Sequence, residues 1–194
     1  MSTPFIALDL AAKFSAGCEI GSDGEVVNQW HSWQSSAFKF AEKVALEFSG
    51  LKKSDDSLLV IEDLPFAIGQ TKTVRDVYRL QGIIIYLVTQ YGMEDRIVFI
   101  PPMLWQHWLK PEGVKKGDKK AIKLVADQKY SYLPPELVHK DLHGKDRVDA
   151  RKTMEDYVDA FMISRYILSV GEEYGSITAA IENIPRLERY SSGS

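Results

Sequence analysis

An aspartate interrupts the first apolar run of the chain, Pro4 to Ala12 (PFIALDLAA). A run of this kind reads as a buried strand. An ionised carboxylate is tolerated in such a place only when its charge is paired or bound to a cation, so Asp9 constrains fold and chemistry together. The anomaly recurs in Ser57 to Leu64 (SLLVIEDL), a second apolar run that carries Glu62 and Asp63 at its end and is stopped by Pro65. A single buried acid can be explained by a cap or a salt bridge. Two of them on predicted neighbouring strands are harder to dismiss in that way.

The intervening sequence predicts that pairing. Ser15 to Ile20 and Glu25 to Trp33 read as a second and third strand around the turn composition Gly21-Ser22-Asp23-Gly24, which gives an antiparallel meander. Ser35 or Ser36 can cap a helix whose apolar residues Phe38, Ala41, Val44, Ala45 and Phe48 recur at helical spacing to about Gly50. Ser57 to Leu64 then follows a helical crossover, so the right-handed βαβ rule sets it parallel to the first strand. Thr73 to Tyr91 reads as a helix from the spacing of Val74, Val77, Tyr78 and Gln81, although Ile83 to Val88 is apolar all round and fits a strand as well. Arg96 to Ile100 is a fifth strand, broken by Pro101-Pro102, and Met103 to Leu109 a short helix carrying Trp105 and Trp108. A lysine-rich loop, Lys110 to Gly117, precedes a helix over Asp118 to Lys129. A long loop from Pro134 to Arg147 precedes Ala150 to Val170, the clearest amphipathic helix in the chain. Residues 1–188 are expected to form one domain, and 189–194 a flexible tail of linker-like composition.

The formal net charge of -3 argues on its face against a nucleic-acid partner, because backbone binding is driven by Lys and Arg. Distribution matters more than the sum. Lys110, Lys115, Lys116, Lys119, Lys120 and Lys123 crowd one stretch against Glu112 and Asp118, so a cationic patch can coexist with an acidic site. The same cluster is equally what a solvated helix face looks like. The lone Cys18 excludes an internal disulfide, no apolar run reaches the roughly 20 residues that span a bilayer, and the N-terminus lacks a signal-peptide pattern. A cytoplasmic protein without a membrane partner is expected.

A third acidic element opens the amphipathic stretch, where a spacing of three puts Asp156 and Asp159 on one helix face. Four converging carboxylates would repel one another if uncompensated. They match the oxygen-ligand preference of Mg²⁺ or Mn²⁺, and ions held this way can activate water for phosphodiester cleavage. With 27 acids in 194 residues, a pair spaced by three arises easily by chance. Asp146 and Asp149 form another such pair, and Asp149 remains a rival for either member.

Asp9 ending the first strand, Glu62 ending the fourth, and Asp156 and Asp159 opening the last helix together resemble the RuvC-type Holliday junction resolvases of the ribonuclease H-like superfamily. The resemblance implies an α/β fold with a five-stranded mixed sheet flanked by helices. It implies a Mg²⁺-dependent endonuclease, with Mn²⁺ able to substitute, acting as a homodimer in DNA recombination and repair. Each subunit would nick one of two opposed strands of a four-way junction. Arg79-Leu80-Gln81-Gly82 matches a Gly-containing segment packed at the family's dimer interface. Gly117-Asp118-Lys119-Lys120-Ala121 matches an Asp-Lys segment, by which Lys119 would neutralise charge on the scissile phosphate. Phe66 is the nearest match to an aromatic wedge at the junction centre, and is as well explained as core. Lys72, Lys115, Lys116 and Lys120 are further candidate DNA contacts. An insertion from Tyr130 to Arg147 and the acidic balance depart from the bacterial pattern and point to a divergent, phage-like relative.

Other readings compete. The same scaffold could cut the RNA strand of an RNA-DNA hybrid or other branched DNA. The actin-like and sugar-kinase ATP-binding group has a similar first strand and turn but needs two such domains. A binding or scaffold protein on this fold would have lost an acid, and none is lost. His139 and His143 have a zinc-like spacing without a third ligand. Trp105 and Trp108 read as core or as a loop platform.

Overall fold

The computed structural model describes residues 3–11, 14–32, 37–51, 57–63, 72–135 and 145–179, with the backbone alone for 145–153. Five strands, β1 (Phe5–Asp9), β2 (Ala16–Ile20), β3 (Val26–His31), β4 (Leu58–Glu62) and β5 (Ile97–Ile100), form one sheet in the order β3-β2-β1-β4-β5. The first three make the antiparallel meander, and β1, β4 and β5 run parallel. Between β2 and β3 the turn is closed by Gly24, whose positive φ of 83° only glycine adopts cheaply, and by Asp23 Oδ1 accepting from the Glu25 amide at 3.0 Å. The five-stranded mixed sheet flanked by helices is therefore present.

Helices cover both faces. Alternation along β1 and β4 sends Ile6, Leu8, Leu59 and Ile61 into a cluster with Phe40, Val44 and Phe48 of α1 (Ala37–Gly50) and Leu80, Ile84 and Val88 of α2 (Lys72–Thr89). The opposite alternation sends Phe5, Ala7, Leu58 and Val60 against α5 (Lys145–Tyr174), with Trp105 of α3 (Pro102–Trp108) and Ile122 of α4 (Lys119–Tyr130) completing that layer. Each such apolar side chain contributes about 1.5–3 kcal/mol when fully buried. Continuing the same alternation by one step turns Asp9 and Glu62 toward α5 rather than α1 and α2.

Several expectations shift. α2 is a helix throughout, so Ile83 to Val88 is no strand, and its inward residues are ordinary core. β4 ends at Glu62 rather than Leu64, and residue 33 at the expected end of β3 lies outside the described residues, as do Ser35 and Ser36. The lysine-rich loop contains a 3-10 turn, Lys110–Glu112, closed by Gly113 at φ 78°. α5 starts at Lys145, ahead of the expected Ala150, and runs to Tyr174. It is also not amphipathic where it matters, because Tyr157 to Ser164 are buried without a break between the sheet, α3 and α4. Residues 136–144, including His139 and His143, and the expected tail 189–194 lie outside the described residues. Among the described residues no helix is long and apolar enough to cross a membrane.

Gly17 of β2 lies under the buried Trp30 ring, where an added Cβ would come within 2.7 Å of the indole. The ring is itself buried among core side chains, so it would have to shift within the core. Gly17→Ala is expected to destabilise the fold by about 1–3 kcal/mol, read as a lowered urea midpoint with an unchanged slope.

Candidate functional site

Register creates the first half of the site. β1 and β4 pair in parallel with Phe5 opposite Leu58 and Leu8 opposite Ile61, so the next step sets Asp9 beside Glu62 at the ends of both strands. Asp9 is only 7% exposed. The two carboxyl groups feel each other, and burial raises both above their ordinary values. Trp105 Nε1–H donates to Glu62 Oε1 at 2.7 Å.

α5 supplies the second half. Asp156 is half-buried and Asp159 is 3% exposed, in the middle of the helix rather than at its head, because α5 begins at Lys145. The positive end of the helix is therefore too remote to stabilise them. Lys119 does that work. Asp118 caps α4, its Oδ1 accepting from the Ala121 amide at 3.1 Å, and this places Lys119 on the first helical residue, where its ammonium ion-pairs with Asp159 Oδ2. Asp159 Oδ1 is buried without a partner. As an orphaned acceptor in an acidic cluster, it has room for one more cationic contact.

The electrostatics tie all five residues together. Burial raises the Asp9 carboxyl above its ordinary value, while Lys119 and the Glu62 hydrogen bond pull it down. Burial, then the neighbouring Asp9 charge, pushes Glu62 up to about 8 against the opposing pull of Trp105 and Lys119. Asp156 also reaches about 8, through burial, then the charge of Asp9, with Lys119 opposing. An all-oxygen donor set with raised proton affinity and an orphaned oxygen fits a hard divalent cation. As they stand, however, no three acids, histidines or cysteines among the described residues already form a cage for an ion. Glu62 Oε1 is instead engaged with Trp105, and Asp159 Oδ2 with Lys119.

The other expected residues are scattered. Lys120 joins Lys119 and Lys123 along a groove of about 350 Å³ beside Asp159, between α4 and α5. Lys115 and Lys116 are exposed in the turn before α4, and Lys72 is exposed at the start of α2, in the opposite helical layer. Phe66 lies outside the described residues, as does the side chain of Asp149. Asp149 does lie on α5, one heptad before Asp156 and so about 10 Å along the axis. Trp108 packs edge-on against Tyr166. Trp105 is the site residue that the sequence reading passes over. Its only signal there is its place just after Pro101-Pro102 at the end of a strand.

The architecture has solved counterparts. The structure of Thermus thermophilus RuvC is similar with a TM-score of 0.54 and 10% identity, over 87% of this chain and 97% of that one. T. thermophilus RuvC in complex with a Holliday junction substrate gives 0.55 and 11%, over 88% and 96%. The fold is ribonuclease H-like. A fowlpox virus Holliday junction resolvase gives a TM-score of 0.48 at 15% identity, over 88% of this chain and 99% of that one. No family model matches the chain, and no curated protein matches it in sequence. At these identities the similarity extends to the fold and stops there.

The raised acids give the fold a pH dependence of definite sign. Glu62 and Asp156 hold their protons to about pH 8 in the folded chain but lose them near the ordinary carboxylate values of 4.5 and 3.8 when unfolded. The folded state therefore binds more protons across that window, and stability falls as pH rises through it. In chelator, the melting temperature should drop between about pH 5 and pH 8, and Glu62→Gln should flatten the drop. Equal slopes for the two proteins would show that Glu62 is not held protonated.

Proposed function

We propose that the chain is a divalent-metal-dependent endonuclease that hydrolyses phosphodiester bonds in branched DNA, with the four-way junction as its substrate. The observation that carries this reading is that Asp9 and Glu62 end two paired parallel strands on the face covered by the buried helix, whose Asp159 ion-pairs with Lys119 and whose Asp156 is raised by the charge of Asp9. The junction as substrate is supported by the ribonuclease H-like fold shared with RuvC, one of whose structures holds a Holliday junction.

Asp9, Glu62, Asp156 and Asp159 would hold Mg²⁺ or Mn²⁺, which when bound supplies water activation and charge neutralisation at the scissile phosphate. The chain's own residues do the rest. Lys119 is a point charge on a flexible stem, partly exposed, and can keep its hold on Asp159 or turn an N–H toward a phosphate oxygen. Lys120 and Lys123 extend that positive edge along the groove, in position to hold the strand through its backbone.

Two cuts on opposed strands call for two copies related by a two-fold axis. α2 offers a face for this. Tyr78, Gly82 and Tyr86 point outward, Tyr86 is 64% exposed, and a Cβ on Gly82 would meet nothing within 4 Å. A mid-helix glycine costs about 1 kcal/mol against alanine. No neighbour within the described chain needs its smallness, which fits close approach by a second α2.

Four tests check this reading. Labelled four-way junction, plain duplex and RNA-DNA hybrid are incubated with Mg²⁺, Mn²⁺ or chelator. Paired nicks in the junction with either metal and none in chelator are expected, whereas cutting of the hybrid alone would overturn the junction as substrate. Asp9→Asn should lower cleavage by more than about 100-fold, beyond the usual effect of losing an outer partner, while junction binding in a gel-shift assay holds. An active Asp156→Asn beside a dead Asp149→Asn would move the second acidic pair up α5. For the dimer, Gly82→Arg should convert a dimeric species to a monomer in sedimentation without changing the circular dichroism.

A further inference from the structure

Trp105 touches the acid cluster from inside the core. Its Nε1–H donates to Glu62 Oε1 at 2.7 Å, and the residue has no exposed surface. The backbone dictates this contact. β5 lies parallel to β4 with Ile100 opposite Glu62, Pro101 and Pro102 turn the chain straight from β5 into α3, and Trp105 is the fourth residue of that helix. The locked φ of two successive prolines removes slack that would let α3 rock against the strand ends.

The chemistry of the donor matters as much as its placement. An indole N–H is a donor only and carries no charge, so Trp105 can neither ligate a cation nor compete with one. It can fix one carboxylate oxygen and leave the other open. Lys119, the other donor at the cluster, is partly exposed, charged and flexible, so it cannot set one orientation of a carboxylate as a rigid ring can. Packing alone would be met by any large apolar side chain at this position.

We propose that Trp105 is a positioning residue for the cation site, holding the Glu62 carboxylate in one orientation through Oε1 so that a divalent ion meets a preset ligand. This rests on the reading of Glu62 as a metal ligand. Outer partners of ligating groups typically contribute 10–100-fold to metal affinity.

The test uses Mn²⁺ alone as the probe, by calorimetry on the full chain. Trp105→Phe, which keeps an aromatic ring and removes the N–H, should weaken Mn²⁺ binding by about 10-fold or more. The Mn²⁺ concentration for half-maximal junction cleavage should rise in step, while the KM for junction stays put. Trp108→Phe, on the same helix but away from Glu62, should bind Mn²⁺ like wild type. A second measurement needs no change at Trp105. In the ¹⁵N spectrum of wild type, one indole N–H signal should shift on Mg²⁺ addition, and Glu62→Gln should move that same signal before any metal is added. Wild-type affinity in folded Trp105→Phe overturns the proposal and leaves the metal site standing, as does an indole spectrum that Glu62→Gln does not disturb. Wild-type protein that binds no Mn²⁺ overturns both.

Discussion

Parallel pairing of β1 with β4 sets two carboxyl groups about one strand spacing apart at the end of a dry sheet, and the surroundings are arranged against their repulsion. Two unit charges at 4 Å interact by about 4 kcal/mol at an effective dielectric constant of 20. That is a large fraction of the roughly 5–15 kcal/mol by which a domain is stable. Three devices reduce it here. Burial keeps the Glu62 carboxyl raised to about 8, the Trp105 N–H binds one Glu62 oxygen, and the Lys119 charge acts on all four acids.

The two faces of the sheet divide the labour. The face under α1 and α2 is apolar along β1 and β4, where Ile6, Leu8, Leu59 and Ile61 serve packing. The face under α3, α4 and α5 has the same kind of core below, but at the strand ends it gives way to acids, a lysine and an indole. Each helix on that side delivers one part of the site, and each delivery rests on a local device. Pro101-Pro102 fixes the entry to α3, the Asp118 cap fixes the first turn of α4, and the burial of Tyr157 to Ser164 fixes α5 against the sheet.

How much of this is legible in the sequence follows from the range of each interaction. Asp9 and Glu62 are legible because a charge inside an apolar run is a local contradiction, and their proximity follows from strand order and the handedness of a crossover. The start of α5 is not, because Lys145 to Asp149 has no apolar period to report a helix. Those residues are carried by continuation of a helix anchored further on. The amphipathic reading of that helix fails for a related reason. Periodicity assumes one wet face, and here α3 and α4 cover what would have been it. Trp105 is the least legible residue, since its partner is 43 positions away and nothing near it in sequence marks an indole N–H as engaged.

The unbroken burial of Tyr157 to Ser164 also bears on how such a chain can diverge. A core accepts most apolar residues of about the right volume, so long as the pattern and total volume are kept. Two chains can therefore have the same architecture while sharing only about a tenth of their residues. Asp159 is the exception within that segment, since an apolar replacement would pack well yet strand the Lys119 ammonium beside it. Sequence identity is thus a poor ruler for this fold, whose few buried charges are held far more tightly than its apolar volume.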